Sequence, residues 1–109
     1  MLSQFPALHG DWREELSQHP RAIIFCWANW SPPDIMLAPV LARVMPDLKE
    51  CVFFTVDLDE ETLVPFFAEA NVMTNPCLLL WKKGEFSERT IGYMSQEKLR
   101  ERLAAWGVL

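Results

Sequence analysis

None of the cysteines in this chain, Cys26, Cys51 and Cys77, belongs to a Cys-x-x-Cys pair, and their number is odd. A disulfide framework is therefore not expected, and reduced thiols in a cytoplasm are the simpler reading. Histidine is scarce as well. His9 and His19 stand far from any paired cysteines, so no ligand set for structural zinc emerges, and neither metal nor cofactor is expected. Positive charge is in deficit: ten basic against fifteen acidic side chains give a net charge of −5. Scattered basic residues cannot form the stripe that a phosphate backbone requires, so nucleic acid is not expected as a partner. Nor is any apolar run long enough for a signal-peptide core or a membrane span, since His9, Asp11, Arg13, Glu14, Glu15 and His19 interrupt the first twenty residues. Neither secretion nor a membrane partner is expected, which leaves the cytoplasm. No repeat, linker or low-complexity tract divides the chain, and residues 1–109 read as a single domain.

What the chain has is apolar mass: 50% of its residues are hydrophobic, with five Trp and seven Phe, enough to bury a substantial core. Ala22 to Ala28 is a continuous apolar run between His19-Pro20-Arg21 and a Ser-Pro-Pro turn, which reads as a central strand buried on both faces. Upstream, Trp12 and Leu16, four apart between Asp11 and Pro20, predict a helix over about 10–18. Downstream, Ile35, Met36, Leu37, Val40, Leu41, Val44, Met45 and Leu48 recur at helical spacing and predict a helix over about 33–49, kinked at Pro39.

Residues 51–58 read as a second buried strand, ending in the acidic cluster Asp57, Asp59, Glu60 and Glu61 that favours the start of a helix over about 60–70. Cys77 to Trp81 is a third strand, turned by Lys82-Lys83-Gly84-Glu85 into a partner over about 86–91. Ser95 caps a last helix carrying Leu99, Leu103 and Trp106 on one face, and Gly107 ends it. Early alternation of helix and strand, closed by a hairpin and a helix, implies an α/β fold: a central mixed sheet with helices on both faces.

The stretch FCWANWSPPDIMLAPVL resembles the thioredoxin pattern, in which a strand ending Trp-Ala-x-Trp is followed by Cys-Gly-Pro-Cys, a helix and an internal proline; Trp27, Ala28, Trp30, Pro33 and Pro39 match. TNPCLLLWKKGE resembles that family's strand opening with a cis-proline and ending Lys-x-Gly-Glu, with Pro76, Leu79, Lys83, Gly84 and Glu85 matching, and Gly92 stands at the family's late loop glycine. The resemblance covers about 20–107 and implies a thioredoxin-like fold.

What it implies for chemistry turns on substitutions. Thioredoxin-type exchange needs a thiolate at the first motif position, stabilised by the helix N-terminus, and a second thiol to resolve the mixed disulfide. Here the motif is Ser31, Pro32, Pro33 and Asp34; Phe25 stands where the family keeps a buried acid, and no lysine lies within 51–58. Dithiol oxidoreductase activity is therefore not expected, and no residue is assigned a catalytic role. A nucleophilic serine needs a base and an orienting third group, which His9 and His19 are badly placed to supply. Ser31 reads instead as an N-cap, with Pro32 in the first turn and Asp34 completing something close to a capping box.

Three thiols remain. Cys77 directly follows the proline that the resemblance makes cis, and Cys51, at a strand start, is expected to be the most exposed; these two are the possible reactive thiols. Buried thiols in apolar surroundings are inert, which is the simpler account of Cys26 and a strong one for Cys77. A Cys26–Cys77 disulfide requires the two strands to be neighbours.

In thioredoxins an extended peptide lies against the cis-proline loop. The corresponding surface here comprises Trp30, Ser31, Pro32, Thr74, Asn75, Pro76, Gly92 and Tyr93, with Met73 and Met94 able to adapt around a ligand. The leading expectation is thus a thioredoxin-fold protein without the redox dithiol, binding a protein or extended peptide segment as an adaptor or a folding and assembly chaperone. The alternative is thiol–disulfide or monothiol activity in cell redox homeostasis through Cys77 or Cys51. A third reading is a structural subunit that assembles with itself or another chain; the oligomeric state is unknown from the sequence.

Overall fold

The apolar run from Ala22 forms the heart of a four-stranded sheet in the computed structural model, which describes residues 2–109. Strand β1 (Arg21–Trp27) pairs parallel with β2 (Val52–Asp57) and antiparallel with β3 (Cys77–Lys82), and β3 pairs antiparallel with β4 (Glu85–Ile91). The order β2-β1-β3-β4 leaves β1 and β3 central, which is why both are apolar at almost every position. Beyond β2 the chain's first segment lies along the edge: Leu8 N donates to Thr55 O at 2.9 Å, and Thr55 N to Pro6 O at 3.0 Å.

Side chains alternate across a strand, so the sheet has two apolar faces. Ile23, Phe25, Leu78 and Leu80 face helices α2 (Pro32–Val44) and α4 (Gln96–Ala105), whose Leu37, Leu41, Leu99 and Leu103 are buried against them. Ala22, Ile24, Cys26, Cys77, Leu79 and Trp81 face α1 (Trp12–Ser17) and α3 (Val64–Ala70), packing with Trp12, Leu16 and Phe66. Full burial of one such Leu or Phe stabilises the fold by ~1.5–3 kcal/mol, so two faces with a dozen between them hold the sheet in place. The mixed sheet covered on both sides is the expected thioredoxin-like α/β architecture.

Prolines move the expected helix ends. The helix predicted to reach 49 stops at Val44 and tightens into a 3-10 turn, Met45–Asp47, because Pro46 has no N–H for the helical ladder. Likewise the helix predicted over 60–70 divides into a 3-10 turn, Glu61–Leu63, and α3, with Pro65 in the first turn, where a missing N–H costs nothing. The β3–β4 hairpin turns through Lys83 (φ 54°) and Gly84 (φ 83°), a left-handed pair for which glycine is suited. Ser95 caps α4 by accepting the Lys98 amide on its Oγ at 3.2 Å.

Candidate functional site

Where β1 ends, the chain turns through Ala28 to Ser31 and enters α2, which sets the degenerate motif at one end of the sheet. Ser31 has the extended backbone of an N-cap (φ −93°, ψ 119°), and its carbonyl accepts the Ile35 amide at 3.0 Å. The expected capping box is not formed. Ser31 Oγ accepts no backbone amide; it donates to Asp34 Oδ1 at 3.0 Å. Asp34 is fully buried, and its Oδ2 accepts the Ala28 amide at 2.7 Å and Asn75 Nδ2 at 2.9 Å. A buried carboxylate must be surrounded by donors, and this one finds three, so it turns inward instead of capping the helix end.

Asn75 belongs to the loop before β3, so the carboxylate ties the end of β1, the start of α2 and this loop at one point. The Asn75–Pro76 peptide bond is cis. Pro76 O accepts the Gly92 amide at 2.9 Å, and Gly92, at φ 93°, has a left-handed backbone that a side chain would strain. Ser31, Asp34, Asn75, Pro76 and Gly92 are therefore brought together by direct bonds. Trp30 is 65% exposed and its Nε1 donates to Asp59 Oδ2 at 2.9 Å. Thr74 and Tyr93, the chain neighbours of Asn75 and Gly92, are exposed.

Sequence reading missed three contributors. Asp59, read only as part of a helix-starting acidic cluster, orients Trp30. Ile35 and Met36, taken for core by their spacing, are exposed because α2 buries Leu37, Val40, Leu41 and Val44 instead, and they flank the motif. Conversely, Met94, expected at the ligand side, packs partly buried against the core under α2 and α4.

The candidate thiols do not share the motif's face. Cys77 opens β3 and points toward α1 and α3, with 1% of its surface exposed, while α2 lies on the other side of the sheet. Cys26, fully buried, stands directly opposite it on β1, so the two strands are neighbours; both thiols are free. Burial pushes both thiols up, and the Arg89 guanidinium opposes this at each. That guanidinium is held by the carbonyls of Asn71 at 3.0 Å and Ala70 at 2.6 Å. Cys51 precedes β2 at the opposite end of the sheet, half-buried, its thiol pushed up to about 11 chiefly by burial. Phe25, in the place of the family's acid, is buried under α2 and stacks on Trp27. Among the described residues no group of three His, Cys, Asp or Glu is placed to hold a metal ion, and no helix is long and apolar enough to cross a membrane.

A chain of this fold and motif order finds relatives readily. The thioredoxin family model matches residues 5–105. Thioredoxin of Listeria monocytogenes is 38% identical over 76 residues, covering 69% of this chain and 72% of that protein. Thioredoxin of Bacillus subtilis is 37% identical over 78 residues, covering 69% and 71%. Among solved structures, oxidized mitochondrial thioredoxin 3 of Saccharomyces cerevisiae superposes with a TM-score of 0.81 at 22% identity, covering 94% of this chain and 96% of that one. These findings overturn the expectation of a redox-inactive adaptor or chaperone: the relatives are thioredoxins, and they favour the thiol–disulfide alternative. From the span of the family match and the identity to these bacterial proteins, the chain belongs to the thioredoxin family.

Proposed function

We propose that this chain performs thiol–disulfide exchange on protein substrates, with Cys77 as the reacting thiol and the surface beside Pro76 as the place where the substrate segment docks. Residues 1–109 act as one domain, working in the reducing cytoplasm. The observation that carries this reading is the position of Cys77, the residue directly after Pro76, at the end of the sheet where the motif helix begins. Neither Ser31 nor Asp34 holds sulfur, so attack comes from the strand behind the loop rather than from the helix. Cys51 is set aside because it lies at the far end of the sheet from Pro76.

Docking uses Trp30, Thr74, Asn75, Pro76, Gly92 and Tyr93. An extended substrate segment pairs with the loop backbone, while Trp30 and Tyr93 supply apolar contact with a polar tip. In the exchange, the Cys77 thiolate attacks one sulfur of a substrate disulfide; that S–S bond breaks, a mixed disulfide forms, and the displaced substrate sulfur leaves as a thiolate that takes up a proton.

Reduction of insulin with dithiothreitol as the electron source tests this. The chain is expected to accelerate reduction over dithiothreitol alone, C51S to retain that acceleration, and C77S to lose it. A chain no faster than dithiothreitol, or a C77S variant as fast as the unmodified chain, overturns the reading.

A further inference from the structure

We infer that Cys26 is the resolving partner of Cys77, and that the two form a cross-strand dithiol on the face of the sheet away from α2, closing to a disulfide as a substrate disulfide is reduced. This rests on Cys77 being the reacting thiol and adds the second sulfur that a complete two-electron exchange needs.

The register carries it. Cys26 and Cys77 are direct partners in the antiparallel pairing of β1 with β3, and theirs is the last pair of that ladder. Directly opposed residues of an antiparallel pair have Cα atoms about 4.5–5.5 Å apart, inside the about 4.4–6.8 Å range of disulfides. Both side chains point to the same face, into the cluster with Phe66 and Ala70, and both are free thiols. Cys51 cannot serve instead. It precedes Val52, the partner of Ala22, and so lies five residues along from Cys26; five residues of strand span about 16 Å, more than twice the reach of a disulfide.

The site is also electrostatically supplied. Arg89 pairs with Leu79 in the β3–β4 register, which puts its guanidinium on the face of Cys77, where it offsets part of the upward push that burial gives both thiols. Both thiols are buried, so access requires the start of β3 to open locally; Cys77 is the first residue of that strand, where the ladder to β1 ends.

The chemistry balances in two steps. Cys77 attacks the substrate disulfide, giving a Cys77–substrate mixed disulfide and one substrate thiol. Cys26, giving up its proton, then attacks Cys77 Sγ; the mixed disulfide breaks, the second substrate sulfur leaves and is protonated, and a Cys26–Cys77 bond forms. Two electrons pass from the cysteine pair to the substrate, and no other oxidant is consumed.

The test uses the folded C51S chain, reduced and freed of reductant, with the aromatic disulfide DTNB as the probe. Two nitrothiobenzoate ions per chain are expected, leaving a protein two hydrogens lighter, without adduct and inert to iodoacetamide after unfolding. C26S/C51S should release one and retain the adduct on Cys77. If the C51S chain also stops at one release with a stable adduct on Cys77, the pairing falls while Cys77 keeps its role. If C77S/C51S reacts as the C51S chain does, or the folded chain releases nothing, both assignments fall. Digestion of the DTNB-treated unmodified chain provides a measurement free of substitutions: a linked Cys26–Cys77 peptide is expected, and its absence overturns the pairing.

Discussion

The carboxylate of Asp34 lies 2.7 Å from the amide nitrogen of Ala28 and 2.9 Å from Nδ2 of Asn75, joining two loops that sequence separates. Replacing it leaves buried donors without an acceptor, and each stranded donor costs ~1–3 kcal/mol. Asp34→Ala is therefore expected to lower the unfolding free energy by about 2–4 kcal/mol, measured by urea titration at pH 7. A loss below about 1 kcal/mol would show that the carboxylate does not hold these loops.

Thiol ionisation predicts an alkaline loss of stability. Burial raises the thiols of Cys26, Cys51 and Cys77 in the folded chain, Cys51 to about 11, whereas unfolded thiols titrate near ~8.5. Between those values the folded chain retains protons that the unfolded chain has lost. The stabilisation is fully present below about 8.5 and is lost as pH rises through the folded values. Urea midpoints at pH 7, 9 and 10 should fall in that order, and iodoacetamide labelling of the folded chain should accelerate over the same window. Flat midpoints would contradict the burial of these thiols.

Arg89 is expected to set the reactivity of the cysteine pair. Arg89→Gln removes the positive charge beside both thiols and should slow DTNB reaction of the folded C51S chain by about tenfold below pH 9, because the charge that opposes burial at each thiol is gone. Arg89→Lys keeps the charge and should recover part of the rate. The readout is the pH–rate profile, whose rise should move to higher pH in the Gln variant; an unmoved profile would reduce Arg89 to its contacts with Ala70 and Asn71.

Trp30 should separate protein substrates from small ones. Its ring is exposed and oriented by Asp59, so Trp30→Ala is expected to lower kcat/KM for insulin by about tenfold, the effect of losing one strong contact of ~1–1.5 kcal/mol. Reaction with DTNB should be unchanged. Equal losses on both disulfides would place the effect on the fold rather than on docking.

Ser95→Ala removes the acceptor for the Lys98 amide at the start of α4 and should cost ~1 kcal/mol, read as a fall in Tm of about 4–8 °C.

Much of this was legible in the residues. Gly84, Ser95 and Gly107 punctuate the chain with turn and cap chemistry that acts locally, and the elements they bound lie within a residue or two of expectation. The helix end near Pro46 moved because a missing N–H competes with an apolar pattern that runs past it, and the helix start near Pro65 moved so that the proline falls in the first turn. Asp34 was read as a helix-start residue because its tertiary partner, Asn75, is 41 positions away, and nothing local announces that hydrogen bond. The same holds for sulfur. Ser31 and Asp34 show locally where the family's thiols are missing, while the pairing of Cys26 with Cys77 depends on strand order, which periodicity does not encode. Inferring lost chemistry from those two positions was the step that the thioredoxin relatives corrected.

A loop closed by sulfur changes its stiffness whenever the surroundings turn oxidising or reducing. The loop between β1 and α2 is instead fastened by a carboxylate, a hydroxyl and two amides, none of which responds to electron supply. The shape of the surface around Trp30 and Pro76 therefore owes nothing to sulfur, and on the proposed chemistry any response to oxidation would begin at Cys26 and Cys77, on the opposite face of the sheet.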